Sequence, residues 1–388
     1  MNRTRLIAAA SLILVASGLL FAGPLTPPVG PVASTSKTLQ EVEPRIAINA
    51  TNTPGDADSL FKITAPGSYY LTGNITGVLG KSGIEIGSSR VTVDLGGFHL
   101  LGVTGSLSGI GVDIVSRSSL CVVNGIITNW GADGVRLSAS ASGNLVENIT
   151  SSSNAGDGIY APSGIVRDCI VVGNTGNGIS SAAAIKGCTA IGNTGIGILA
   201  TAGSVLENCF SRDNGGDGIN ASNGSVITEC TARNNGGYGI IAFGDATISR
   251  CVSTLNTLSG INGQQATAIL DCTSSANDSN GISVQGQCNV RGNTCHDNGN
   301  AGIFVSSVSG TRVEGNSLTN NVRGLWVTGP NNIILRNTAS ANTINWVINA
   351  NNVVGPIINR TAPASAAISG DSAPDSAGST HPNANFTY

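Results

Sequence analysis

The chain has 388 residues, a net charge of −3, 11% charged residues, 4% aromatics and 53 glycines. Lysine and arginine are scattered without a basic stripe, which excludes a nucleic-acid partner. The length would hold two ordinary domains, and the low charge leaves little ionic chemistry to distribute, although local groups suffice to hold a glycan.

At the N-terminus, Arg3 and Arg5 precede an apolar run from Leu6 to Phe21, followed by small residues. The pattern predicts an export signal over residues 1–22, with an uncleaved anchor as the alternative. The run is short for a spanning helix, which needs about 20 apolar residues. No cysteine lies near it, which argues against a lipid-modified end. Pro24, Pro27, Pro28 and Pro31 make 23–44 a stiff linker. Residues 45–80, with Tyr69, Tyr70 and Leu71, are expected to begin the fold and cover its open end, because an uncapped solenoid exposes sheet edges.

From there a repeat governs the chain. Asn154, Asn174, Asn193, Asn214, Asn235, Asn256, Asn277, Asn298 and Asn320 are each followed four residues later by Gly and then by Ile, or Leu325 at the last. The steps between these glycines are 19 to 22 residues. Short β-prone runs and turn residues at that period are the signature of a solenoid. In the rung from Ile248 to Ala266, Ile248 and Cys251 face inward, Val252 to Thr254 extend a strand, Asn256 turns the chain, and Gly260-Ile261 starts another strand. The reading is an all-β chain with a single parallel β-helix over 81–355, about 13 rungs of ~21 residues. Two β-branched columns make its core: one follows the glycine, and the other lies three residues before the cysteine slot, holding Cys121, Leu145, Val166 and Ile185 in its first rungs. The asparagines are expected to bond amide to amide between rungs, and the glycines to allow a corner where a Cβ would clash.

A second ladder runs Asn124, Asn148, Cys169, Cys188, Cys209, Cys230, Cys251, Cys272, Asn293, Asn316, Asn337. Parallel side chains must twist to close a disulfide, so the cysteines are read as buried thiols packing as small hydrophobes. Vertical disulfides or a column of soft metal ions are the alternatives. Cys121 and Cys295 are placed inward and Cys288 in a turn, as the most exposed thiol. After Asn342 the rung fades, with Trp346 in the glycine slot. Residues 356–388 read as a flexible tail in which Asn383 to Tyr388 is a candidate closing strand.

The unit N-x-x-x-G-I, a turn, then V/I-x-x-C/N-T resembles the parallel β-helix repeat of the pectin-lyase-like superfamily, over roughly residues 80–355. Ala65-Pro-Gly-Ser-Tyr-Tyr-Leu-Thr-Gly-Asn74 and Val91-Thr-Val-Asp-Leu-Gly-Gly-Phe98 resemble the opening of exported bacterial proteins of this class. The resemblance implies a right-handed helix with three parallel sheets. Members include pectate lyases, polygalacturonases, alginate epimerases, tailspikes and adhesins, so the repeat specifies the fold and not the chemistry. The motifs of the enzymes are missing: no cluster of adjacent aspartates or lyase arginine motif, no N-x-D, Asp-Asp or Gly-His-Gly, and no Asp-Pro-His. Of His99, His296 and His381, only His296 has an acidic neighbour, Asp297, and that pair reads as solvated surface.

Two candidate sites remain. Arg212 and Arg233 share an outward slot on adjacent rungs, Asp217 and Tyr238 share the slot before the glycine, and Asp213 lies beside them at the Asn214 turn. Two cations, two carboxylates and an aromatic within ~10 Å can grip a sugar chain; a surface ion-pair cluster is the plainer alternative. Asp133 and Asp157, each before a turn glycine, with Asn177 next, offer oxygens for Ca²⁺, though three ligands are few. No other cofactor is expected. The outward column Glu229, Arg250, Asp271 alternates in sign and reads as a stabilising ladder. The functional expectation is an exported protein, secreted, periplasmic or at the cell surface, that is non-catalytic and binds a polysaccharide or cell-surface glycan or serves structurally. Its rivals are a polysaccharide lyase, hydrolase or epimerase, and an adhesion or assembly unit, monomeric or trimeric. The mature chain is expected to have no membrane span.

Overall fold

The computed structural model describes residues 43–388 except 114, 138–141, 182, 307–308 and 360–380. The expected export signal, most of the linker and the stretch 361–380 lie outside the described residues. Each turn of the solenoid has three short strands, as in Ile240–Ala242, Thr247–Ser249 and Val252–Thr254. In the regular rungs each strand pairs in parallel with its counterparts one turn before and after, Ile240 with Ile219 and Ile261, Ile248 with Ile227 and Ile269. The strands that follow the repeat glycines form one 14-stranded sheet, and the other two strand columns join at a bend into a 28-stranded sheet. Among the described residues there is no helix, and none long and apolar enough to cross a membrane. The β-branched columns are the core: Ile219, Ile240, Ile261, Ile227, Ile248 and Ile269 are fully buried, each contributing about 1.5–3 kcal/mol by leaving water.

The asparagine ladder sets the corner. In Asn214, Asn235 and Asn256 both the main-chain N–H and Nδ2 donate to Oδ1 of the next asparagine, at 2.9–3.2 Å. The ladder explains the glycines. A Cβ on Gly218 would stand 2.6 Å from Asn235 Nδ2 and 2.6 Å from the Gly239 carbonyl. The left-handed backbone falls elsewhere, on the residue before each ladder asparagine, as at Asp213 (φ 57°), Asn234 (52°) and Leu255 (60°).

Where rungs lengthen, the slots shift by one. The ladder passes through Asn321, which accepts from Asn298 and donates to Asn342, while Asn320 is left-handed and reaches Asp297 outside. Asn124 and Asn148 likewise face outward at positive φ, and buried Ile149 stands in the cysteine column. Register also sets Leu145 and Cys121 outside, beside Val146 and Val122 in the core. Trp346 pairs with Leu325 and so takes the isoleucine slot, in a regular strand Ile344–Ile348.

All nine cysteines are free thiols, and the six of the column are at most 2% exposed. Cys288, expected as the exposed thiol, is also 2% exposed, with Sγ against the carbonyls of Gln264 and Gly286. The column continues the work of an amide ladder: the Cys251 N–H donates to Cys272 Sγ at 3.4 Å, and the Cys272 N–H to Asn293 Oδ1 at 2.9 Å. At the far end Asn385–Thr387 pairs with Ile357–Asn359 and with Thr338 and Ala339, and Asn385 Oδ1 accepts the Asn337 N–H at 2.9 Å.

Candidate functional site

In the three-residue strands of the 14-stranded sheet the first and third residues enter the core, and the middle one faces out. That outward position lies two residues after the repeat glycine. Register links Arg136 to Tyr160 and then, through eight further steps, to Phe304 and Trp326. Between Tyr160 and Phe304 the outward column carries no charge. At ~4.8 Å per rung, Tyr160 and Trp326 stand ~38 Å apart along the sheet.

Beside this column runs the slot before the glycine, and here both aspartates of the expected Ca²⁺ pair appear. Asp133 Oδ1 accepts the Asp157 N–H at 2.7 Å, and Asp157 Oδ1 accepts the Asn177 N–H at 2.7 Å. Asn177 Oδ1 in turn accepts the Ile196 N–H at 2.9 Å. The remaining oxygens are also engaged: Asp133 Oδ2 pairs with Arg136 Nη1 at 2.6 Å, and Asp157 Oδ2 accepts from Ser180 Oγ at 3.0 Å. Burial holds the Asp157 carboxyl above its ordinary range. The structure brings the two aspartates together as caps on successive rungs. Arg136 lies over the Tyr160 ring, 4.6 Å from its centroid, and the hydrogen bond to Asp133 raises its affinity for its proton.

The expected sugar-gripping patch divides at the Asn214 corner. Asp217 and Tyr238 belong to the capping slot, where Asp217 Oδ1 accepts the Tyr238 N–H at 2.9 Å and Oδ2 accepts from Asn220 at 2.9 Å. Arg212 and Arg233 are register partners on the neighbouring sheet. Arg212 pairs with Asp213 at 2.7 Å, and Asp213 also accepts from Asn234 at 2.7 Å. Arg233 is exposed and makes no side-chain hydrogen bond or ion pair with the described residues. No hydrogen bond or ion pair joins the arginines to Asp217 or Tyr238.

Among the described residues one group of three carboxylates is close enough to share a cation: Asp56, Asp58 and Glu85, with ligand atoms within 4.8 Å of one another. A cation is already there. Lys62 Nζ lies 2.7 Å from Asp56 and 2.8 Å from Glu85, holding Asp56 well below the usual carboxylate range. Lys81 Nζ caps the Asp56 carbonyl. This cluster sits in the irregular first turns, where no repeat aligns distant residues.

Sequence reasoning passed over the Arg–aromatic pairs at both ends of the outward column. Phe304 and Trp326 have ring centroids 4.6 Å apart, inclined by 47°. Arg323 lies 4.3 Å over the Trp326 ring and donates to Asn300 Oδ1 at 2.6 Å. Among the described residues Arg323 has no carboxylate partner. The signal was present as the residue two after each repeat glycine, which reads Tyr160, Phe304 and Trp326 in the rungs concerned.

A family model described as "Right handed beta helix region" matches residues 180–303 and 246–380, together more than half of the chain. Among solved structures, the A-module of the Azotobacter vinelandii mannuronan C-5 epimerase AlgE4 is 15% identical, with a TM-score of 0.53 over 75% of this chain and 91% of that one. The AlgE6 A-module of the same organism is 15% identical, with a TM-score of 0.48 over 75% and 91%. The periplasmic alginate epimerase AlgG is 13% identical, with a TM-score of 0.44 over 81% and 81%. At these identities the likeness is one of fold alone. No curated protein matches the chain in sequence.

Proposed function

We propose, from the premise that this chain belongs to the right-handed beta helix family, that it is an exported polysaccharide-binding protein without a catalytic centre of its own. The observation that carries this reading is the outward column of the 14-stranded sheet, with an Arg–aromatic pair toward each end and no charge between. Aromatic rings offer broad apolar faces with a negative quadrupole, which suit the C–H faces of pyranose rings. A long chain laid along the sheet would meet both pairs, and linked weak contacts add through effective concentration. The fold shared with a mannuronan epimerase module is in keeping with a polymeric sugar.

Against catalysis stands the state of the acids. Asp133, Asp157 and Asp217 each spend both oxygens on scaffold donors or Arg136. A general base needs an oxygen free to reach the substrate proton. The competing reading, a lyase or epimerase, rests on the raised Asp157 carboxyl close to Arg136 and Tyr160.

One assay separates them. The protein is run in affinity gels cast with pectin, alginate, chondroitin, xylan and neutral glucans. New reducing ends and unsaturated-uronate absorbance are followed in parallel, with and without Ca²⁺. Retention on at least one polymer, reduced in Trp326→Ala, with no product, is the expected result. Product formation would establish an enzyme, and absence of retention on every polymer would remove the binding role.

A further inference from the structure

The corner that follows the 14-stranded sheet changes length along the solenoid. Gly263, Val284, Val305 and Val327 are register partners at the ends of successive strands. Thr267, Cys288, Thr311 and Asn332 stand one residue before the register partners that open the next column. Three residues bridge Gly263 to Thr267 and Val284 to Cys288, whereas five bridge Val305 to Thr311 and four bridge Val327 to Asn332. The inner ends of these corners stay in step: the Cys288 N–H donates to Thr311 Oγ1 at 3.3 Å, and the Thr311 N–H to Asn332 Oδ1 at 2.9 Å. A cavity of about 490 Å³ lies over the corners where the lengths differ. Small-ligand sites take up about 300–1,000 Å³. It is lined by the side chains of Gln265, Gln285, Gln287, Ser309, Pro330 and Asn331, all of them exposed.

We infer that this cavity is a binding site for an uncharged sugar, separate from the aromatic column. The lining sets the class of ligand. It contains no Asp, Glu, Lys or Arg, and Asp245 on the preceding corner is not part of it. An ionic ligand would shed water there without a countercharge, and an apolar one would leave the amides unpaired. A side-chain amide carries an acceptor oxygen beside a nitrogen with two donors. A sugar hydroxyl likewise both donates and accepts, so neighbouring hydroxyls can pair with an amide in either sense. Most of that capacity is unspent. Gln265 Nε2 donates to Gln287 Oε1 at 3.1 Å, which leaves Gln265 Oε1 and Gln287 Nε2 for a ligand. That bond also ties two long side chains together, which lowers the rotamer entropy lost on binding. The side chains of Gln285, Ser309 and Asn331 make no hydrogen bond with the described residues.

The test is saturation-transfer NMR on the full chain with neutral oligosaccharides of glucan, mannan, galactan and xylan, and with oligogalacturonate as the charged comparison. The expected result is transfer to at least one neutral oligosaccharide, with affinity about tenfold weaker in the double variant Gln265→Ala/Gln285→Ala and unchanged in Trp326→Ala. Both glutamines are exposed, so the melting temperature should hold. Should the double variant melt early, Gln285→Glu takes its place, because it keeps the shape and puts a charge in the cavity. No transfer to any neutral oligosaccharide, affinity that these substitutions leave unchanged, or an equal loss in Trp326→Ala would each overturn the site. Oligogalacturonate binding that the double variant weakens to the same extent would overturn its preference for uncharged sugars. Binding at the aromatic column is read from Trp326→Ala alone, so the failure of either site leaves the other standing.

Discussion

The Arg–aromatic pairs at the two ends of one sheet are built from the same parts and differ in their charge. Arg136 over Tyr160 is tied to Asp133 at 2.6 Å, with Asp157 close behind, so that end is neutral to acidic. The Arg323 guanidinium, stacked over Trp326, hydrogen-bonds only the Asn300 amide among the described residues. Each guanidinium gives one N–H to the scaffold, but in the first the acceptor is a carboxylate that offsets its charge. In the second it is an amide that leaves the charge for a ligand, and stacking on the indole has already fixed its plane. The side chain three residues before the outward position decides this. There the rung of Arg136 carries Asp133, whose other oxygen caps the next rung, whereas the rung of Trp326 carries Arg323 itself. One scaffold slot thus sets whether the neighbouring platform is open.

The largest effect is expected from breaking the sheet that joins the two platforms. Ile240 lies between them and is fully buried. Ile240→Asp places an unpaired charge in the core and should cost several kcal/mol. Thermal melting checks it, and an unchanged transition would mean the inward column is misassigned. Next comes Asp133→Ala, which leaves the Asp157 N–H without its acceptor at a part-buried position. The expected loss is about 1–3 kcal/mol. Asp133→Asn restores the acceptor and should return most of that stability while leaving Arg136 without its countercharge. If the comparison holds, Asp133→Asn gains retention on acidic polymers that the wild type lacks at this end. Smaller still is Arg323→Gln, which should weaken polymer binding about tenfold, with little effect on melting, whereas Arg136→Gln should lower stability more than binding. Equal losses of binding in both variants would erase the distinction between the two ends.

Much of this fold could be read from the chain, because a solenoid writes each contact into the sequence once per turn. Asn214 above Asn235, and Asp217 one turn before Tyr238, follow from the period alone. The errors sit where the period changes. The ladder step from Asn298 leads to Asn321 and not to Asn320, and one added residue in a strand-rich rung sends a side chain to the opposite face. The same slip misplaced Asn148 and hid Ile149 in the core. Periodicity also fails to say on which side of a corner a slot opens. Arg212 and Asp217 are five residues apart, yet the Asn214 turn leaves Arg212 on one sheet and Asp217 at the entry to the other. The Asp56, Asp58 and Glu85 cluster was invisible for a third reason: its members come from first turns with no repeat to align them.

The capping slot itself supplies the finest test, because it holds an aspartate on one rung and an asparagine on the next doing the same work. Asp157 Oδ1 accepts the Asn177 N–H at 2.7 Å, and Asn177 Oδ1 accepts the Ile196 N–H at 2.9 Å. The carboxylate brings a charge that the amide does not, and burial raises the Asp157 pKa. A raised carboxyl pKa means the folded chain holds that proton more tightly than the unfolded chain. Its contribution to stability is therefore full below the unfolded value, about 3.9, and is lost as pH rises through the folded value. Asp157→Asn removes that loss and keeps the acceptor, and the new Nδ2 can donate to Ser180 Oγ, which now donates to the carboxylate. The variant should match the wild type in acid and exceed it at neutral pH. The gap opens above the ordinary carboxylate range and reaches about 1.4 kcal/mol for every tenfold by which folding tightens the carboxyl's hold on its proton. Denaturant titrations of both proteins at a series of pH values measure that gap directly. Parallel curves would mean the carboxylate is solvated well enough to be no burden, and the Asp133–Asp157 end would then be open to a cation after all.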